Sequence, residues 1–391
     1  MEFSWSEEDL AFRREADAFV KETLPPWWTG QYTSGERGRV YTKEFCQKLG
    51  ERGLLTMAWP KEYGGSDAPI WNQVHFKEIM AAYGEPRGPQ YMNLNWIGPS
   101  IMLFGTEEQK SYHLGRMSKG DVIWCQGFSE PDAGSDLASL KTRAVEDGDD
   151  YVINGQKVWT SNAERAEVCF LLARTDPDAP KHRGISVFLI DMDTPGVTVR
   201  KIKSMSGWGG LNEVFFDDVR VPRSTMLGEK NAGWSVITAA LNFERIGQPR
   251  YEASKIVIDK VIKYATTTSH GDGPLSKDPV LRQKIAQAYV RYRAARVLTY
   301  RLASIVAKGD DPGPGESSMN RIHQIQLSQH TADLSMEILG LYGRLQTDVP
   351  DAPFLGVLEH DWRWCVASTI AAGTLEIQKE QVAVRGLGLP R

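Results

Sequence analysis

The sequence lacks the features that mark several large protein classes. Its four cysteines, Cys46, Cys125, Cys169 and Cys365, stand far apart and show no C-x-x-C spacing. A disulfide frame or zinc site is therefore not expected, and the thiols read as reduced residues of a cytosolic chain. No stretch approaches the roughly 18 apolar residues of a membrane span. The N-terminus, Met-Glu-Phe-Ser-Trp-Ser-Glu-Glu, has no basic region leading into an apolar run, so no signal peptide is expected. Excess charge is missing too: 46 Lys and Arg face 50 Asp and Glu, for a net charge of −4. This argues against nucleic acid or an anionic membrane as the main partner. Neither G-x-G-x-x-G nor G-x-x-x-x-G-K-[ST] occurs, which leaves a Rossmann site or a P-loop unsupported. His323 and His330 share an expected helix face, but no acid or cysteine at ligand spacing completes a set, so no metal site is expected.

What the chain does have is length. At 391 residues it exceeds the size at which single cores stop growing, so two or three substructures are expected. Ser6 followed by Glu7-Glu8 starts a helix over 6–23, with Leu10, Phe12, Ala16, Phe19 and Val20 near a helical period and Pro25-Pro26 stopping it. Helices over 43–54, 72–84 and 107–118 complete a helical part, 1–120. Over 121–230 the pattern changes. Val152-Ile153, Val168–Leu172, Ile185–Ile190, Val197–Val199 and Val214–Phe216 are short β-rich runs separated by Gly, Pro, Asn and Asp. They suggest a small antiparallel barrel or sandwich. Helical pattern returns over 231–391, near 232–266, 279–308, 318–343 and 358–386, with loops at 267–278 and 309–317. The fold class is α+β: a helical domain, a middle β domain and a helical bundle.

The most informative stretch is Trp124 to Asn162. A short apolar strand, Val122 to Cys125, runs into the polar turn Ser129-Glu-Pro-Asp-Ala-Gly-Ser-Asp136. Pro131, Gly134 and Asp136 supply turn chemistry, and Gly134 lets backbone N–H groups approach an anion or ring. Asn154-Gly155 suggests a hairpin turn, with the next strand carrying Trp159 and Ser161 on one face. An aromatic plane beside a hydroxyl suits a flat, hydrogen-bonding ring; the plainer reading is a polar loop and an ordinary hairpin.

Taken together, Ser129-Glu-Pro-x-Ala-Gly-Ser-Asp136 and Trp159-x-Ser161-Asn162 resemble the flavin-binding signature of acyl-CoA dehydrogenases. Trp59-Pro-x-x-Tyr-Gly-Gly65, Phe104–Lys110 and Phe215–Pro222 resemble other segments of that family, so the likeness spans essentially the whole chain. It implies the three-part acyl-CoA dehydrogenase fold, bound FAD, an acyl-CoA substrate and electron transfer to an electron-transfer flavoprotein. By resemblance, Gln126, Phe128, Ser129, Gly134, Ser135, Trp159, Thr160, Ser161, Thr374 and Glu376 contact FAD. Ser135, Asn242, Arg245, Ala372 and Gly373 contact substrate.

Removing hydrogen between Cα and Cβ of a thioester needs a base for the α proton, preferably a carboxylate in an apolar pocket. Trp234, Ile237 and Leu241 mark an apolar helix stripe, and Glu244 falls on it. A carboxylate there is either used, or sits at the edge and meets solvent or Arg245. Most family members carry the base in Tyr-Glu-Gly-Thr on the last long helix, but here the segment is Ile370-Ala-Ala-Gly-Thr374 and the base position is Ala372. A minority place it earlier, in Leu-x-x-Glu-Arg, which matches Leu241-Asn-Phe-Glu244-Arg245. The resemblance thus points to Glu244 as base. The main-chain N–H of Ala372 would polarise the thioester carbonyl.

Two departures bear on assembly. The family's Arg-x-x-Phe-Gly, which reaches a neighbour's flavin pyrophosphate, corresponds to Thr266–Gly273, without arginine. Its Gln-x-x-Gly-Gly-x-Gly appears as Glu337-Ile-Leu-Gly-Leu-Tyr-Gly343. Together they point to a heterotetramer with a second homologous subunit, resembling the actinobacterial steroid side-chain enzymes, with a homotetramer as the alternative. Moving the base between helices changes the pocket shape, so a branched or bulky acyl group, such as a sterol side chain, is the expected substrate. A non-catalytic partner subunit and a flavin oxidase or monooxygenase remain as other readings of the same residues.

Overall fold

In the computed structural model the chain is described over residues 4–207, 210–243, 249–271, 273–347 and 349–390. It begins with helices α1 (Glu7–Thr23), α2 (Gly35–Glu51), α3 (Ile70–Ala82), α4 (Gln90–Met92), α5 (Gly98–Phe104) and α6 (Glu107–Ser118). Strands β1 (Trp124–Gly127), β2 (Arg143–Asp147), β3 (Asp150–Lys157) and β4 (Val168–Arg174) follow. After them come β5 (Ile185–Asp191), β6 (Val197–Lys201), β7 (Asn212–Pro222) and β8 (Met226–Leu227). Helices α7 (Gly233–Phe243) and α8 (Tyr251–Thr267) lead to a short hairpin, β9 (Ser269–His270) and β10 (Gly273–Pro274). Helices α9 (Pro279–Ala307), α10 (Gly313–Leu339), α11 (Val357–Cys365) and α12 (Leu375–Gln381) complete the chain. The expected order of helices, sheet and helices is present.

One compact unit comprises Arg39–Ala68 and Arg87–Glu244 and holds an eight-stranded sheet. The strand order is β6-β7-β3-β2-β4-β5-β8, with β1 on β4. Most pairs are antiparallel, while β1 lies parallel to β4, and β2 meets β4 in parallel at Arg143 and Arg174. Residues 168–173 and 185–190 are all buried, which is why these strands read as unbroken apolar runs rather than alternating ones. Cys125, Tyr151, Cys169, Leu171, Phe188, Ile190, Val214 and Phe216 form the core against which the loops are held. Full burial of side chains such as Leu171 and Phe188 contributes about 1.5–3 kcal/mol each.

Asn154-Gly155 is not a hairpin turn. β3 runs through it, with a register shift against β7 between Ile153 and Gly155, and the β2–β3 turn sits at Gly148. Glycine is needed at 155 because the backbone there passes Thr142: an added Cβ would lie 2.5 Å from Thr142 Oγ1. The Trp59–Gly65 motif has a similar cause, since a Cβ on Gly65 would lie 1.9 Å from the Trp59 carbonyl oxygen.

The other unit comprises Met1–Gly38, Pro69–Pro86 and Arg245–Arg391. Its core includes Tyr251, Val257, Ile258, Val261, Ala288, Tyr292, Ala295, Leu327, Leu334 and Leu358. A capping box between Ser6 and Asp9 starts α1, and Asp278 caps α9 ahead of Pro279. The expected helix over 232–266 is instead α7 and α8, with 244–248 outside the described residues. The expected helix over 358–386 is broken between Cys365 and Leu375, because Ala372 and Gly373 adopt left-handed backbone, at φ +56° and +86°. Among the described residues no helix is long and apolar enough to cross a membrane.

Candidate active site

In the sheet-bearing unit, the loop after β1 is fixed by one buried carboxylate. Glu130 accepts from the backbone N–H of Lys141 (2.6 Å) and of Thr142 (2.9 Å) and from Lys157 Nζ (2.7 Å). Lys157 is 0% exposed and Glu130 7%. Nζ also donates to the Phe128 carbonyl at 3.0 Å. Burial penalises the Glu130 charge, yet Lys157 and the amides outweigh it and hold the carboxyl below its ordinary range. Burial pulls the Lys157 ammonium down to about 8, against the attraction of Glu130. The chain between Phe128 and Thr142 is thereby pinned at both ends of its turn. Its outer part is free to meet a ligand: Gly134 and Ser135 are exposed, and Gln126, Phe128 and Ser129 are half-buried. A Cβ at Gly134 would meet nothing within 4 Å among the described residues.

The end of β3 presents the second part of this surface. The N–H of Val158 donates to the Ser129 carbonyl at 2.9 Å, joining strand end to loop. Trp159 and Ser161 do not share a strand face as expected. β3 stops at Lys157, and Trp159 stands in left-handed backbone at φ +59°, 59% exposed. For a tryptophan that conformation costs about 1–3 kcal/mol. The turn is held from below: Thr160 N–H donates to the Asn212 carbonyl (2.9 Å), and Asn212 Nδ2 donates to the Thr160 carbonyl (3.1 Å) and to Glu164 (2.5 Å). The Thr160 hydroxyl is buried and has no hydrogen-bond partner among the described residues. An exposed indole, the half-buried Ser129 and Ser161, the exposed Ser135 and a loop with space at Gly134 suit a flat ring with a polar edge. A separate cavity of about 680 Å³, lined by Tyr112, Arg116, Glu164, Glu167, Asp191 and Met192 among others, includes none of the expected FAD or substrate residues.

In the helical unit, the break before α12 exposes main chain. Ala372 and Gly373 are exposed in left-handed backbone, and the Ala372 carbonyl accepts from Gln378 Nε2 at 3.2 Å. Arg321 donates to the carbonyls of Ser368 (3.1 Å) and Ala371 (3.2 Å). Thr374 caps α12 by accepting from the Ile377 N–H at 3.2 Å, so its hydroxyl has a structural task, while Glu376 is exposed. Helix α7 carries the chain toward Glu244, with Val236 and Ile237 buried and Trp234 edge-on to His182. It packs on β5 and α5. Asn242 belongs to α7, but its side chain, and Glu244 and Arg245 entirely, lie outside the described residues.

Sequence reasoning missed Lys157 as the partner of Glu130. The available signal was the alternation itself: Tyr151, Ile153 and Lys157 share the buried parity of β3, so a charge at 157 points inward and needs a partner.

The chain matches the N-terminal, middle and C-terminal domain models of acyl-CoA dehydrogenase over residues 6–121, 125–219 and 231–387. It is 34% identical over 401 residues to acyl-CoA dehydrogenase FadE26 of Mycobacterium tuberculosis, covering 100% of this chain and 99% of that one. It is 36% identical over 393 residues to acyl-CoA dehydrogenase IpdE1 of the same organism, covering 97% of each. Among solved structures, the ChsE4-ChsE5 complex from Mycobacterium tuberculosis aligns with a TM-score of 0.91 at 33% identity, over 100% of both chains. The Tcur3481-Tcur3483 steroid ACAD gives a TM-score of 0.91 at 32% identity, again over 100% of both. With the β1 loop, the Trp159 turn and all three segments in agreement, the chain belongs to the acyl-CoA dehydrogenase family, oxidoreductases that act on CH–CH bonds.

Proposed function

We propose that this chain is the catalytic subunit of an FAD-dependent acyl-CoA dehydrogenase that converts an acyl-CoA thioester to its trans-2-enoyl product. The observation that carries the reading is the exposed Trp159 indole, held in left-handed backbone beside the loop pinned by Glu130 and Lys157. FAD, when bound, supplies the acceptor for hydride from Cβ. Gln126, Phe128, Ser129, Gly134, Ser135, Trp159, Thr160 and Ser161 hold it, together with Thr374 and Glu376. Glu244 takes the α proton, and the N–H of Ala372 stabilises charge developing on the thioester oxygen. Ser135, Asn242, Arg245 and Gly373 position the substrate. The segments 1–120, 121–230 and 231–391 act as helical, flavin-face and base-bearing domains.

The substrate we propose is a branched or sterol side-chain acyl-CoA, supported by the likeness to a steroid ACAD. The partner is a second homologous subunit, supported by the likeness to two-component structures and by the missing arginine in Thr266–Gly273. An electron-transfer flavoprotein receives the electrons, in the cytoplasm. Ala372 favours one competing reading, a non-catalytic partner subunit, because it leaves the usual base position without a carboxylate. Anaerobic titration with straight-chain and sterol side-chain acyl-CoAs separates the two: a catalytic chain is reduced by at least one thioester, and a scaffold chain by none. Recovery of this chain alone with full, stable FAD would contradict the heteromer.

A further inference from the structure

We propose that Asn212 is a positioning residue for flavin binding: its side-chain amide holds the Trp159–Asn162 turn in the left-handed backbone that presents the indole. This deepens the proposed function and rests on Trp159 contacting the flavin.

The turn lies between two left-handed residues, Trp159 at φ +59° and Asn162 at φ +61°. Neither is glycine, so both conformations persist only where the surroundings impose them. Those surroundings are the start of β7 and the turn before it, in the same sheet-bearing unit. The Asn162 N–H donates to the Gly210 carbonyl at 2.6 Å, and the Thr160 N–H to the Asn212 carbonyl at 2.9 Å. Any residue at 212 supplies that second bond, because it uses main chain. The side chain adds what an amide alone provides. Asn212 is 0% exposed, and its Nδ2 faces three acceptors: the Thr160 carbonyl (3.1 Å), the Gly210 carbonyl (3.1 Å) and Glu164 Oε2 (2.5 Å). These acceptors fix which end of the amide points at the turn, since a flipped amide would set oxygen against three oxygens. Glu164 is paired in turn with Arg39 through its other oxygen, and both of these side chains are largely buried. Asn212 Oδ1, by contrast, has no hydrogen-bond partner among the described residues. Two hydrogens shared among three acceptors, with the oxygen left bare, stabilise a fold poorly. The same arrangement ties Thr160, next to Trp159, and Gly210, which holds Asn162, to one charged anchor. The cost of left-handed backbone at a tryptophan and the worth of two or three such hydrogen bonds are of the same order. Loss of the amide therefore suffices to let the turn relax, and a ring contact depends on how the indole is placed.

A double-mutant cycle separates action through Trp159 from a general loss of stability. Wild type, Asn212→Ala, Trp159→Gly and the double variant are each co-expressed with the homologous partner, stripped of flavin and titrated with FAD by calorimetry. Asn212→Ala alone should weaken FAD binding by about tenfold, because it leaves buried acceptors without their donor and frees the turn. In the Trp159→Gly background there is no indole to place, and glycine accepts the backbone. There the same substitution should change FAD affinity by less than about twofold. Equal effects in both backgrounds, including none in either, overturn the proposal. Gly65→Ala, a destabilising change in the same unit outside the proposed flavin contacts, should keep wild-type affinity. A loss of about tenfold there would also overturn the proposal, since any destabilisation would then weaken binding. If Asn212→Ala does not fold, Glu164→Gln takes its place in the cycle. That variant keeps the size of the side chain and removes the charge that orients the amide, and the same two patterns decide. If Trp159→Gly binds FAD as tightly as wild type, the flavin-contact reading of Trp159 fails and the positioning role with it. If Trp159→Gly weakens binding while Asn212→Ala acts independently of it, only the positioning role fails.

Discussion

The Lys157 ammonium sits 2.7 Å from Glu130 Oε1, and neither side chain is appreciably exposed. The pair belongs to the loop that carries the family signature, since Lys157 also holds the Phe128 carbonyl. Removing one partner strands a buried charge. Lys157→Met should therefore cost about 3–5 kcal/mol in denaturant unfolding, with FAD content falling in parallel. Replacing both, as Lys157→Met with Glu130→Leu, recovers only part of the loss, because the N–H groups of Lys141 and Thr142 lose their acceptor.

Acid stability follows from Glu78. Its folded carboxyl lies at about 2, below the ordinary 4.5. A depressed carboxylate contributes stability that is fully present above 4.5 and is lost as pH falls from 4.5 toward 2. Glu78→Gln should be less stable at neutral pH and show a shallower loss through that window. Glu252 has the opposite sign: burial, then the Glu78 charge, raise its carboxyl. Its contribution is present below 4.5 and lost as pH rises through the raised value. Glu252→Gln should be more stable than wild type at neutral pH, with the difference closing below about pH 4. Thermal melts across pH check both signs.

Trp159 stores backbone strain while burying little of its ring. Trp159→Gly in flavin-free protein should be neutral to about 1 kcal/mol more stable, since glycine accepts positive φ without a Cβ clash. The same variant should bind FAD more weakly. A large loss of stability without FAD would mean that the indole serves the core.

Gly65→Ala probes the Trp-Pro-x-x-Tyr-Gly-Gly motif. With a Cβ 1.9 Å from a carbonyl oxygen, backbone must move, and a loss of about 1–3 kcal/mol is expected in chemical denaturation.

Long periodic elements were legible in the sequence. Helix α6 begins at Glu107 and ends at Ser118, inside its apolar period and behind its Thr106 cap, and α9 follows Asp278-Pro279. The apolar runs of β4 and β5 were visible because both strands are buried on both faces. Misreadings fell where backbone geometry overrides pattern. Asn154-Gly155 carries turn chemistry but serves a close approach to Thr142. The last helix keeps its period through Ile370–Thr374, yet left-handed backbone at Ala372 breaks it. The Glu130–Lys157 and Glu78–Tyr251 contacts join residues 27 and 173 positions apart, and no local pattern encodes such pairings.

In the proposed function this chain abstracts the α proton with Glu244 and passes hydride to its own flavin. The most direct measurement is anaerobic loss of flavin absorbance on adding a panel of acyl-CoAs to wild type and Glu244→Gln, each co-expressed with the homologous partner. Wild type should bleach with at least one thioester, and Glu244→Gln should retain FAD without bleaching. Equal bleaching by both proteins would contradict it and place the base elsewhere.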